Sequence, residues 1–435
     1  MLARSAFCDV TPRGRPVKLA GYASRPTATT VLDPIEISAV LLEADQRRCL
    51  IVSFDLMIVG AELQAMIQAR LTRLGFKATE IFLLASHTHF APATDRACAP
   101  LGEPDEQFVS DVAAATDKLV QRMLQAEPQE TRLEIRRDRL RHAIHRRRFW
   151  PFPTLSRTYG FRLSCTALAP DPDGKTDETA TVILLRRTDN GAAIGAIWHY
   201  ACHATAVTPY DVISADFPGT VRRALRRRFG DIPVIFVQGF CGDINPDIVP
   251  AKPQHGFLAL LNSLKRILIA GPSFPAITHD DWKQWSDGLA EAVLRIAAEP
   301  AEKSSQPAAL ATGSAKLPLD AFFRGSAPDK PLVAQTLTLG ADIEVIALSA
   351  EVTFGWQAIL DRQIPAQNGR LRLYAGYLGA LYGYLPTREQ IREGGYEVEG
   401  FQRLFGLSGH FDAEKITPAV VDCVKRALDD LASTS

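Results

Sequence analysis

Short apolar runs that break off into clusters of titratable side chains constrain this chain more than any other feature. Residues 81–85 (IFLLA) lead straight into Ser86-His87-Thr88-His89, and residues 194–200 into Ala201-Cys202-His203-Ala204-Thr205. Residues 234–237 lead into Gln238-Gly239-Phe240-Cys241-Gly242-Asp243-Ile244-Asn245-Pro246, and residues 343–348 into Ser349-Ala350-Glu351. Runs of this length suit buried strands. In open α/β sheets, side chains gather at the carboxyl ends of strands, where they meet a ligand without disturbing the core. These four ends together carry three His, one Glu and one Asp, and read as a single site.

The rest of the chain alternates in the same way. Strands are expected over 36–43, 49–54, 80–85, 233–238, 332–339, 343–348 and 370–375, with a hairpin of 180–186 and 193–199 across Asp189-Asn190-Gly191. Helices are expected over 61–75, 105–125, 218–229, 280–298, 354–364 and 418–431. The pattern predicts an α/β fold with mixed β-sheets flanked by helices, in one domain spanning 1–435. The polar, Pro- and Ser-containing stretch 299–312 is expected as a surface excursion, with a linker as the alternative.

Composition excludes several classes. The 435 residues carry 49 Lys+Arg and 49 Asp+Glu, and 46% are hydrophobic, which fits a globular chain and not a disordered or fibrous one. Balanced charge argues against a nucleic-acid binder. No apolar run reaches the length needed to cross a bilayer, so no stable membrane insertion is expected. Seven scattered cysteines, with no CxxC pair and no signal-like N-terminus, suggest reduced thiols in a cytoplasmic protein. The partner expected is a small-molecule substrate; the oligomeric state is left open.

His87 and His89 are two apart, so an extended backbone points both rings to one side. Imidazoles plus a carboxylate, with a position left for water, form the usual catalytic zinc arrangement. The alternative is a hydrogen-bonded pair in a buried turn, and His203 likewise reads as a ligand or a satisfied core residue. Glu351 favours the metal, because a carboxylate ending an apolar strand needs a partner. Cys202 and Cys241 read as thiol nucleophiles or as small core residues. No GxSxG elbow, phosphate loop or dinucleotide fingerprint occurs. Two basic runs, 136–148 and 222–228, suit either an anion-attracting mouth or a solvated face.

Ordered short motifs add a family resemblance. They run from Asp9-Val10-Thr11-Pro12, Gly21-Tyr22 and Phe54-Asp55-Leu56 through Ser86-His87-Thr88-His89-Phe90-Ala91-Pro92 and His203-Ala204-Thr205. They continue with Ser214-Ala215-Asp216-Phe217-Pro218-Gly219, Gly242-Asp243-Ile244-Asn245-Pro246, Glu351-Val352-Thr353 and Tyr382-Gly383-Tyr384-Leu385-Pro386-Thr387. In this order they resemble the catalytic domain of the neutral/alkaline non-lysosomal ceramidases. The resemblance implies one Zn2+ that activates water against an amide carbonyl, with His87, His203, Glu351 and Tyr384 as ligands. It gives His89 a role facing the substrate, where spacing alone would let it bind metal, and places Arg146 near the substrate. Tyr382 is the alternative to Tyr384. Asp55, Asp216 and Asp243 are candidates for hydrogen bonds to the ligand histidines, or for ordinary caps and turns.

The chain departs from that pattern at Asn245, where the family carries a serine, so an acyl-accepting hydroxyl is missing and the Asn amide is left to bind an oxyanion. The chain also leaves no room for the family's C-terminal immunoglobulin-like domain. The expectation is a zinc-dependent amidohydrolase of an N-acyl compound. Alternatives are an esterase or lactonase, a cysteine-nucleophile hydrolase and a non-catalytic binding protein.

Overall fold

Parallel strand pairs need a crossover between them, and three of the chain's pairs make it through an amphipathic helix. The structure is a computed structural model that describes residues 1–22, 25–156, 160–251 and 271–433. In it, Ala61–Arg73 buries Leu63, Ile67 and Leu71 on one face and carries the chain from Arg47–Phe54 to its parallel neighbour Ile81–Ala85. Phe217–Phe229 does the same between Ala193–Tyr200 and Val234–Gln238. It opens with Asp216 as N-cap and Pro218 in the first turn, where a missing N–H costs nothing.

These strands form the two ends of a nine-stranded mixed sheet. Its order is Val234–Gln238, Ala193–Tyr200, Thr179–Arg187, Gln129–Arg139, Leu2–Asp9, Glu36–Ala44, Arg47–Phe54, Ile81–Ala85, with Lys303–Ser305 added on Gln129–Arg139. A second sheet has the order Leu310–Leu317, Leu332–Leu339, Ile343–Leu348, Leu371–Ala375. Its last pair is parallel and crosses over through Gly355–Gln363. The mixed sheets flanked by helices agree with the expected fold class. Both sheets contribute to the same buried clusters, for example Val40, Phe82, Ile235, Leu337 and Leu373.

Twist brings the two ends of the large sheet together. Ser53 Oγ donates to the Phe236 carbonyl at 3.1 Å, and Gln238 Nε2 to the Ser86 carbonyl at 3.4 Å. The segment after Leu371–Ala375 then ties three strand ends to each other. Gly376 N donates to Gln238 O (3.0 Å), Tyr377 N to Ala350 O (3.1 Å) and Gly379 N to Leu83 O (2.8 Å), while Tyr377 O accepts from Ala85 N (3.2 Å).

Both basic runs are partly built into the fold. Residues 129–150, for which no strand was expected, form Gln129–Arg139 and Ala143–Trp150. Thr131, Leu133 and Ile135 alternate into the core while the arginines on the intervening positions, Arg132 and Arg136, find Glu134, and the exposed Arg137 beyond them finds Glu302. Stretch 299–312 is likewise hydrogen-bonded into the sheets, through Lys303–Ser305 and the start of Leu310–Leu317. Among the described residues no helix is long and apolar enough to cross a membrane.

From the second run, Arg222 reaches Asp55 at 2.7 Å and Arg226 holds Glu36 through both oxygens at 2.9 Å. Arg222, Asp55 and Glu36 are all buried, so removing one partner strands a charge. Arg222→Ala is expected to lower unfolding stability by about 3–5 kcal/mol in urea titrations. Arg137→Ala, in an exposed pair, is expected to change it by about 0–1 kcal/mol. Equal effects would contradict the assignment of Arg222 to the core.

Candidate active site

The turn after Ile81–Ala85 puts His87 at φ 61°, a region that non-glycine residues occupy at a cost. Two hydrogen bonds hold it there: the backbone N–H donates to Leu56 O (2.9 Å) and the ring Nδ1–H to Met57 O (2.8 Å). His203 is locked in the same manner, with Nδ1 2.7 Å from Cys241 O and 3.1 Å from Ile244 O. A carbonyl only accepts, so both rings carry their proton on Nδ1 and aim Nε2 the other way.

The two Nε2 atoms meet Glu351. Its Oε2 lies 3.2 Å from His87 Nε2 and 3.3 Å from His203 Nε2, with all three side chains buried. His89 Nε2 stands 3.2 Å from His87 Nε2, and the ring nitrogens of His87, His89 and His203 fall within 4.8 Å of one another. Rings locked this way would turn their Nε2 lone pairs, not a proton, toward this carboxylate. Acceptors converging in a dry site call for a positive charge between them. A tetrahedral zinc site with bonds of about 2.0–2.1 Å has edges of about 3.3–3.4 Å. The donor spacing and chemistry therefore fit zinc, through His87, His203 and Glu351, with His89 beside them.

Charge follows the same geometry. Burial, then the neighbouring Arg146, pushes the His203 imidazole down to about 4. Burial, with His87 and His203 adding to it, holds His89 well below the usual imidazole range.

Arg146 closes one side of the site. Its Nε donates to Glu397 (2.8 Å), Nη2 to the Tyr384 hydroxyl (3.0 Å) and Nη1 to Asn245 Oδ1 (3.0 Å), with Nη1 3.4 Å from His203 Nε2. Tyr384 pairs with Glu351 in a short parallel bridge, so its phenol belongs to this corner and meets the guanidinium. Tyr382 packs in the core against Phe322. With Oδ1 held by Arg146, Asn245 has its NH2 left to donate.

The three aspartates fall elsewhere. Asp55 accepts from Arg222 and Glu36 N, Asp216 from Phe217 N, Ala206 N and Trp282 Nε1. Asp243 binds Gln390 Nε2, Phe354 N and His145 Nε2. None of these hydrogen bonds goes to His87 or His203, whose orienting partners are backbone carbonyls. A carbonyl has no residue signature, which is why the sequence pointed to aspartates instead.

Sequence reasoning also missed Tyr377. Its ring lies 4.1 Å from that of His87 and its hydroxyl 3.2 Å from Cys241 Sγ. Cys202 and Cys241 are fully buried, and burial raises both thiols, which leaves them protonated and poor nucleophiles.

No family model and no curated protein matches the sequence. Solved structures do match in fold. The crystal structure of neutral ceramidase from Pseudomonas aeruginosa superposes with a TM-score of 0.75 at 17% identity, covering 98% of this chain and 74% of that one. A ceramidase complexed with C2 gives 0.73 at 16%, covering 98% and 75%. The fold of this chain is thus that of the neutral ceramidase structures.

Gly21, beside Tyr22, explains the packing of His89. Its φ is +104°, and a Cβ built there would overlap the His89 imidazole. Gly21→Ala is expected to cost about 1–3 kcal/mol in thermal unfolding and to turn the His89 ring in a crystal structure. An unmoved ring would refute this close approach.

Proposed function

We propose that the chain is a zinc-dependent hydrolase that cleaves the C–N bond of an N-acyl amide. The observation that carries this is the convergence of two carbonyl-locked imidazoles and one carboxylate at the spacing of a tetrahedral metal site. The neutral ceramidase fold supports amide hydrolysis over other uses of such a centre.

His87, His203 and Glu351 would hold the metal, joined by Tyr384 once its hydroxyl turns from Arg146. When bound, zinc polarises a carbonyl and makes water nucleophilic near neutral pH. The locked Nδ1–H bonds keep the Nε2 lone pairs directed inward without further reorganisation. His89 differs from both: its Nδ1 is buried with no partner among the described residues. That suits a group whose proton must move, so His89 takes a proton from the attacking water and returns one to the departing nitrogen. Asn245 donates its NH2 to the developing oxyanion, and the Arg146 charge favours that oxyanion. Water adds across the bond, leaving a carboxylate and an amine; Asn245 has no hydroxyl to carry an acyl group.

Elemental mass spectrometry on untagged protein is expected to find about one zinc per chain, lost together with activity in the double variant His87→Ala/His203→Ala. His89→Ala is expected to keep its zinc and to lose about 10²–10⁴-fold in kcat. Metal retained by the double variant would remove the basis of this reading, and zinc lost from His89→Ala would make His89 a ligand.

A further inference from the structure

Buried arginines in this protein come with carboxylates. Arg136 has Glu134, Arg146 and Arg147 share Glu397, and Arg222 has Asp55. Arg25, half-buried beside the candidate active site, has no such partner among the described residues. Its Nη2 donates to the carbonyls of Ala20 and His89. Its Nε and Nη1 are buried, with no hydrogen-bond partner among the described residues. Among the described residues it forms no ion pair; the carboxylate whose field it feels is the exposed Asp211. Burial pushes its guanidinium down to about 10, so it stays charged at neutral pH.

Aromatic rings surround the guanidinium and His89. The Tyr22 ring sits 5.1 Å from the His89 ring and 5.4 Å from Arg25 Cζ, and the Phe90 ring 5.2 Å from Arg25 Cζ. Tyr210, half exposed at 52%, packs on both rings at 5.4 and 6.4 Å and marks the solvent side. Two sets of unsatisfied buried polar atoms, on Arg25 and on His89 Nδ1, therefore lie against the same tyrosine. A buried charge without a counterion is costly, and groups left unsatisfied in a native site ask for an explanation.

We propose that Arg25 is a specificity-determining residue that binds a carboxylate on the substrate, close to the scissile bond. This rests on the amide-hydrolase reading and narrows it: the substrate class is an N-acyl compound bearing an anionic carboxylate, on either the amine or the acyl side. A planar guanidinium with free N–H groups recognises a carboxylate by charge-assisted hydrogen bonds. Neutral analogues leave those groups unpaired, which is where discrimination arises.

Two matched pairs of probes test it. N-octanoylglycine against N-octanoylglycinamide places the charge on the amine side; N-octylsuccinamic acid against N-octylsuccinamide places it on the acyl side. Release of octanoate or octylamine is measured for the wild type, Arg25→Gln and Arg25→Lys. One pair is expected to show a preference for the carboxylate of about tenfold to a hundredfold in kcat/KM. That ratio should fall to near one in Arg25→Gln and survive in part in Arg25→Lys. A wild type that prefers neither carboxylate, or a ratio that persists in Arg25→Gln, overturns the proposal. If no amide is cleaved, the hydrolase reading fails separately, and calorimetric binding of the two acids decides for Arg25. Tighter binding to the wild type than to Arg25→Gln upholds it, and equal or absent binding sinks it. Should Arg25→Gln not fold, the wild-type ratios and Arg25→Lys carry the same decision.

Discussion

Three strand ends deliver acceptor-rich side chains toward one point, and the tie across Gly376–Gly379 is what allows them to stay there. Each strand would leave its terminal carbonyls open, and each following turn would be free to swing. Five backbone hydrogen bonds from a single short segment fix the ends at Ala85, Gln238 and Ala350 relative to one another, and Gly239 N, donating to Tyr200 O, adds the strand that leads to His203. The Tyr377 ring then lies on His87 from the same segment. Backbone groups, which cannot be mutated away, thus set the distances between His87, His203 and Glu351. Backbone carbonyls also set which nitrogen each imidazole presents.

The same logic separates the three histidines. Two have Nδ1 fixed by carbonyls, so their protonation is part of the fold. The third has a ring confined by Gly21 and Tyr22 and an Nδ1 that nothing in the described structure fixes. A ligand benefits from being locked, since any freedom in the ring is lost on binding. A proton carrier benefits from being placed but not committed. This difference in hydrogen bonding, rather than the two-residue spacing, is what supports different roles for His87 and His89.

The legible part of the sequence was the part written in apolar periodicity. Strands such as Leu332–Leu339 and Ile343–Leu348 were readable to the residue, because their apolar runs end at turn residues. The strands Gln129–Arg139 and Ala143–Trp150 were not, since arginines with partners distant in the chain mask the alternation beneath them. Glu397 lies 251 residues from Arg146, and no local pattern announces such a pair. At the site, His87, His203 and Glu351 were found from strand ends. Asp55, Asp216 and Asp243, read as partners of the ligand histidines or as caps and turn residues, bond elsewhere, and carbonyls of Met57, Cys241 and Ile244 meet the imidazoles. Side chains carry a sequence signal, and orienting carbonyls carry none.

Charge pairing gives the last step. The chain is balanced overall, yet its interior is not made neutral by averaging. Arg222, Arg146 and Arg147 are each met by a named carboxylate, at 2.7–3.0 Å. Such pairs hold the loops that hold the histidines: Arg146 binds both Asn245 and Tyr384 while Glu397 binds Arg146. Against that background, the acceptors meeting around Glu351 and the Nε and Nη1 donors of Arg25, unpartnered among the described residues, stand out. One fits a metal cation and the other a carboxylate anion. Both border His89: its Nε2 stands 3.2 Å from His87 Nε2, and its backbone carbonyl accepts from Arg25. A substrate whose amide reached the first and whose charge reached the second would be oriented across His89 by electrostatics alone.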